Sequence, residues 1–146
     1  MRYFIETGYV SLNKKGEELC GDRVETIYHQ GTMTTVLADG MGSGVKANIL
    51  STLTSKIIST MMASGLSIAD CVETIAQTLP ICKVRQVAYS TFTILQIGVH
   101  GDAYMVQFDN PLCVLLRDGK ATEYPVEVNV IDGKTIYETR MQVQLG

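Results

Sequence analysis

The hydrophobic pattern changes from strand to helical period near residue 40. From Thr32 to Asp39 the chain reads Thr-Met-Thr-Thr-Val-Leu-Ala-Asp, rich in strand-forming residues. Beyond Gly40-Met41-Gly42-Ser43-Gly44 the apolar residues recur at helical spacing. Ile49, Leu50, Leu53, Ile57 and Met61 form one stripe, with Lys46, Ser55 and Lys56 off it. Gly65 suits the end of this helix. Ser67-Ile68-Ala69-Asp70 opens a second helix as a variant capping box. Val72, Ile75, Ala76 and Leu79 make its buried face, and Pro80 closes it. The pattern therefore predicts helices over about 44–64 and 67–79, side by side on one face of a sheet.

Both flanks read as strands. Arg2 to Leu12 alternates loosely and ends at the turn Asn13-Lys14-Lys15-Gly16. Cys20 to Tyr28 and Thr32 to Asp39 follow, joined at His29-Gln30-Gly31. After a linker around Cys82 to Gln86, Tyr89 to Val99 is apolar on both faces, as in a central strand of a covered sheet. Ala103 to Phe108, Leu112 to Leu116, Val126 to Ile131 and Thr135 to Leu145 complete the strands. Asp118-Gly119 and Asp132-Gly133 mark hairpins. Strands, two helices and then antiparallel strands make an α+β fold, a single domain over 1–146.

The hairpin near residue 30 brings two carboxylates together. If its loop is even and centred between Gln30 and Gly31, facing residues have numbers that sum to 61, and Asp22 lies opposite Asp39. Directly opposed side chains have Cβ atoms about 4.5–5.5 Å apart, and like charges there repel. Such a pair needs a shared proton or a cation. An odd loop would slip the register by one. Most Asp-Gly pairs are turns, but Asp39-Gly40 differs in leading directly into a helix. A helix N-terminus favours anions, which makes Gly42 a candidate phosphate contact. Arg23 is a candidate phosphate clamp, although alternation turns it to the face opposite Asp22. Glu25 and Asp109 read as surface charges. The alternating glycines match neither a P-loop nor the full dinucleotide fingerprint.

Composition narrows the classes. A net charge of -3 and a pI near 5.3 weigh against nucleic acid as partner. The apolar runs are too short to span a bilayer, and Glu6 interrupts any signal-like N-terminus; together they predict a cytoplasmic protein without a membrane partner. Cysteines 20, 71, 82 and 113 form no CxxC pair and read as small, reduced hydrophobes. Neither His29 nor His100 is spaced with them as a zinc ligand.

Cys20-Gly21-Asp22 together with Leu37-Ala38-Asp39-Gly40-Met41-Gly42-Ser43-Gly44-Val45-Lys46-Ala47 resembles the metal-dependent serine/threonine phosphatases of the 2C type, in their bacterial branch typified by the sporulation stage II E phosphatase. The likeness runs to about Phe108-Asp109-Asn110-Pro111. It implies a four-layer α-β-β-α sandwich of two antiparallel sheets. It further implies a manganese or magnesium centre, with two ions in the complete domain. Asp22, Asp39 and the Gly40 carbonyl are then metal ligands, and Asp22 and Asp39 the catalytic pair. The implied substrate is a phosphoserine or phosphothreonine on a bacterial signalling protein. The family takes further aspartates from a later Asp-Gly strand end. Asp132-Gly133 is a poor substitute because a strand follows it, so the expectation is the N-terminal part of such a domain, incomplete at the C-terminus. An uncovered apolar face or free sheet edge then favours a homodimer. Two alternatives stand beside an enzyme: a non-catalytic phosphoprotein-binding or regulatory module of the same fold, and a binder of small or nucleotide phosphates.

Overall fold

The computed structural model describes residues 1–40, 42, 44–78, 81–82, 87–88, 90–131 and 133–145. Strands β1 (Asp22–His29) and β2 (Thr32–Gly40) lead into helices α1 (Gly44–Ala63) and α2 (Ile68–Thr78). Two short strands follow, β3 (Ile81–Cys82) and β4 (Val87–Ala88). The chain then forms β5 (Ser90–Gly98), β6 (Asp102–Phe108), β7 (Leu115–Arg117), β8 (Lys120–Thr122), β9 (Glu127–Ile131) and β10 (Lys134–Gln142). Six strands make one sheet in the order β1-β2-β5-β6-β10-β9, antiparallel throughout. The pairs β3–β4 and β7–β8 are separate two-stranded ribbons. The α+β class, the antiparallel pairing and the central place of β5 are as the pattern predicts.

Both helices cover the same face. Val36, Phe92, Ile94, Val106 and Ile136 rise from the sheet to meet Ile58 and Met62 of α1 and Ile68, Cys71, Val72 and Ile75 of α2. The expected caps are present. Gly65 has φ +81°, and the N–H groups of Gly65 and Leu66 reach back to the carbonyls of Met62 and Met61, which closes α1 as a Schellman turn. The Ser67 hydroxyl accepts from the Asp70 N–H at 3.1 Å and donates to the Asp70 carboxylate at 2.8 Å. The expected helix end at Leu79 and Pro80 lies outside the described residues, as does Asp132 of the last hairpin.

The buried face of α1 corrects the expected stripe. It consists of Ala47, Leu50, Ser51, Thr54, Ser55, Ile58, Ser59 and Met62, whereas Ile49 and Leu53 are exposed. Small hydroxyl residues can be buried because the helix satisfies them itself. Ser51 donates to Asn48 O, Thr54 to Leu50 O and Ser55 to Thr52 O, at 2.8–3.1 Å. Their small size brings α1 close to the sheet.

Glu25 is not the expected surface charge. Only 13% of its side chain is exposed, on the helix side of β1. It accepts from Ser59 Oγ at 2.8 Å and pairs with Arg23 at 3.6 Å and Lys56 at 3.7 Å. Asp109 is exposed as expected.

The two ends of the alternation pattern also depart from expectation. Among the described residues no strand precedes Asp22. Tyr3 donates to the Val99 carbonyl, but Phe4, Tyr9 and Val10 remain exposed. A loose alternation holds a strand only where one face is buried, and here Tyr3 and Ile5 are only partly buried while the residues beyond them are exposed. Likewise Leu112 and Val114 are exposed, and pairing in this region begins at Leu115.

The tightest point lies where β2 meets α1. A Cβ on Gly40 would sit 1.9 Å from the Ala47 carbonyl oxygen, so the strand end and the helix backbone touch. Gly40→Ala should therefore cost at least about 2–3 kcal/mol by urea denaturation, the range of a badly overpacked core. Gly8→Ala, with open space around it, should change nothing. Equal stability of the two variants would refute the close contact.

Candidate functional site

The turn between β1 and β2 sets the geometry. Gln30 and Gly31 have φ +48° and +78°, the two-residue turn with both central residues left-handed. His29 therefore faces Thr32, and every later pair keeps the sum of 61, ending at Asp22 opposite Asp39. The even-loop register is the observed one. Asp39 is the penultimate residue of an interior strand, and Asp22 is the first residue of the edge strand.

Alternation places both carboxylates on the sheet face away from the helices, with Val24 opposite Leu37 as the next pair on that face. Arg23, one residue on, is turned toward α1 and its Glu25 partner. Several contacts hold the site's backbone. The Gly40 N–H donates to the Gly21 carbonyl at 2.9 Å. Asn48 Nδ2 of α1 donates to the Cys20 carbonyl at 2.9 Å, and Ser90 Oγ donates to the Asp39 carbonyl at 3.1 Å. On the open face Asn110 bridges Thr91 and Thr93 of β5, beside Asp39 and Leu37.

The carboxylates border a cavity of about 160 Å³ that also reaches Gly40, Gly42 and Gly44. Loss of hydration there, with a hydrogen bond and the charge of Asp22, raises the Asp39 pKa to about 6. The pair thus sits ready to share a proton, or to exchange it for a cation.

Sequence reasoning missed the cavity's outer wall. The loop 12–20 folds back over the site and lines it with Leu12, Lys14 and Glu17. Asn13 Nδ2 donates to the Glu18 carbonyl, the Glu17 N–H donates to the Lys14 carbonyl, and the Cys20 thiol reaches the Leu12 carbonyl at 3.5 Å. Glu17 Oε2 lies 3.0 Å from where a Gly44 Cβ would be, close to the start of α1. The turn cluster Asn13-Lys14-Lys15-Gly16 directly before Cys20-Gly21-Asp22 was the available signal.

The donor set fits a hard divalent cation. Two carboxylates and a neighbouring backbone carbonyl are oxygen ligands of the kind that bind magnesium or manganese with water retained in the shell. Among the described residues no group of three or more His, Cys, Asp or Glu side chains converges to hold a metal.

The raised pKa has a consequence for the metal-free protein. Asp39 binds its proton more tightly folded, with a pKa of about 6, than at its ordinary 3.8. Its contribution to stability is thus fully present below about pH 4 and is lost as pH rises through about 6. With a chelator present, Asp39→Asn should melt higher than the wild type at pH 7.5, and this gain should shrink at pH 4.5. A variant equally or less stable at pH 7.5 would show that the two carboxylates do not repel.

The fold has relatives among known proteins. No curated protein sequence matches the chain. Among solved structures, the phosphatase domain of SpoIIE from Bacillus subtilis, solved with a fragment of its regulatory domain, aligns with a TM-score of 0.77 at 18% identity, covering 92% of this chain and 41% of that one. RsbX, solved in complex with magnesium, aligns at 0.64 and 20% identity, covering 94% of this chain and 67% of that one. The RsbU and RsbW domains of Rv1364c from Mycobacterium tuberculosis align at 0.56 and 14% identity, with 68% of this chain and 28% of that one covered. The chain thus spans less than half of the SpoIIE structure, and at these identities the likeness is one of fold. The family model for stage II sporulation protein E matches residues 29–135, a span that includes Asp39 and lies beyond Asp22. With well over half of its length matched, the chain belongs to the stage II sporulation protein E (SpoIIE) family.

Proposed function

We propose that this chain acts as a metal-dependent protein phosphatase domain that removes phosphate from phosphoserine or phosphothreonine on a bacterial signalling protein in the cytoplasm. The observation that carries this reading is the direct opposition of Asp22 and Asp39 at the mouth of a cavity floored by the start of α1. A divalent ion, when bound, supplies Lewis-acid activation of water and neutralises charge on the phosphoryl group. The chain's own residues do the rest. Asp22 and Asp39, with the Gly40 carbonyl, hold the cation. The N-terminus of the 20-residue helix α1 presents its positive end to the phosphoryl oxygens at Gly42. Loop 12–20 walls the cavity, and Lys14 gives that wall a cation for an incoming phosphate. Arg23, held toward Glu25, takes a lesser part than its place beside Asp22 implies.

Two carboxylates cannot fill two coordination spheres, and a symmetric two-metal clamp needs ions about 3.5–4 Å apart. The described residues by themselves therefore support weak binding of one ion and slow turnover. The same shortage favours a second reading, a regulatory module that binds phosphoproteins without hydrolysing them. Exposed Leu112, Val114, Leu116, Val128 and Val130 supply apolar surface of the kind that a homodimer would cover.

Calorimetry with manganese and hydrolysis of a phosphoserine peptide test the proposal together. Manganese should bind weakly to the wild type, and its affinity should fall at least about tenfold in Asp39→Asn, as expected on losing a ligand. Slow, manganese-dependent hydrolysis should disappear in the same variant while its melting transition persists. Unchanged manganese affinity in Asp39→Asn would remove Asp39 as a ligand. Phosphopeptide binding without any hydrolysis would favour the regulatory module.

A further inference from the structure

The loop after β6 reaches back to the carboxylates. Asp109 has φ +55°, a left-handed backbone that turns the chain just past the end of β6. Asn110 then lies over β5, on the sheet face that carries Asp22 and Asp39. Its side chain meets three groups there. Thr91 Oγ1 donates to Asn110 Oδ1 at 2.5 Å. Asn110 Nδ2 donates to Thr93 Oγ1 at 3.1 Å and reaches the Leu37 carbonyl at 3.5 Å. In the β2–β5 register Thr91 faces Asp39 directly and Thr93 faces Leu37, so a single amide spans both pairs. Resting on the reading of Asp39 as a cation ligand, we infer that Asn110 is a positioning residue: by taking the Thr91 proton it keeps the Asp39 carboxylate free for the cation.

The direction of these bonds carries the argument. A carbonyl can only accept, so the atom of Asn110 that faces Leu37 is its nitrogen, and the atom that faces Thr91 is its oxygen. That oxygen can only accept in turn, which makes Thr91 the donor. A threonine hydroxyl has one proton. While Asn110 holds it, Thr91 has none for the carboxylate opposite. Directly opposed side chains have Cβ atoms about 4.5–5.5 Å apart, so a freed hydroxyl reaches Asp39. A hydrogen bond to a carboxylate is stronger than one to a neutral amide, and Thr91 without Asn110 would donate there. Its proton would then occupy a lone pair, and draw off charge, that a hard cation uses. The strand itself does not need the amide. Asp39 is paired on both sides by β1 and β5, and Ser90 Oγ already holds its carbonyl.

Calorimetry with manganese on four proteins tests this: the wild type, Asn110→Ala, Thr91→Val and the double variant. Asn110→Ala should bind manganese about tenfold more weakly, the scale of one hydrogen bond to a charged group, with its melting transition retained. Thr91→Val has no proton to give and should stay within about twofold of the wild type. The double variant should recover to the same range, because the competing donor is gone. That recovery decides the matter, since a residue that only held the loop would leave the double variant as weak as Asn110→Ala. Asn110→Leu, of similar size and without an acceptor, replaces Asn110→Ala should the latter fail to fold. Unchanged affinity in Asn110→Ala overturns the inference. So does a loss that Thr91→Val fails to restore, or a loss in Thr91→Val alone. In each of these cases the phosphatase reading stands as long as Asp39→Asn still weakens manganese binding. If Asp39→Asn leaves the affinity unchanged, Asp39 is no ligand and both readings fall.

Discussion

The contact between Gly40 and the Ala47 carbonyl is the constraint on which the site depends. It fixes where β2 stops, how closely α1 approaches, and which way α1's first turn points. With any larger residue at position 40, strand and helix would have to separate, and the carboxylate of Asp39 would part from the helix N-terminus. The hydroxyl-rich face of α1 extends the same close approach along the helix, since Ser51, Thr54 and Ser55 bond to the helix's own carbonyls and ask nothing of the sheet. Backbone proximity and side-chain economy thus act together to place an anion-favouring helix end beside two acidic residues. The positive helix end offsets part of the repulsion between the two carboxylates, and a cation on their far side offsets more of it.

Much of this was legible in the chain. Gln30-Gly31 allowed only a few turn geometries, and the two-residue one carried Asp22 to Asp39 through eight consecutive pairs without a bulge. Strand periodicity has no tolerance for error of one residue, which is why a correct turn gave the correct pairing of Asp22 with Asp39. Gly65 and Ser67 marked the helix boundaries because capping chemistry is local.

What was not legible depended on partners distant in sequence. Serine and threonine look polar in a helical pattern, and nothing near Ser51 or Ser55 reveals that the helix's own carbonyls satisfy them. Glu25 alternates as a surface residue would; its burial depends on Ser59, more than thirty residues away. Leu112 and Val114 have strand composition but no neighbouring edge to pair with. The fold over Asp22 by Lys14 and Glu17 is likewise a tertiary fact, only hinted at by a turn preceding Gly21. Pattern reports local preference, and each of these residues was decided by a non-local competitor.

The asymmetry of the carboxylate pair has a dynamic consequence. Asp39 rides on β2, bonded on both sides by β1 and β5, whereas Asp22 begins the outermost strand. Edge elements open at lower free energy than interior ones, so half of the pair belongs to a unit that can fray while the other half stays fixed. Glu25 and Ser59 staple the middle of that unit to α1, and Asn48 and Gly40 hold Cys20 and Gly21 just before it, which confines any opening to the short stretch from Asp22 to Val24 beside the site. A ligand bridging the two aspartates would act as a clasp across this boundary. Its occupancy would register as slowed amide exchange in the first turn's length of β1, with the interior of the sheet unaffected.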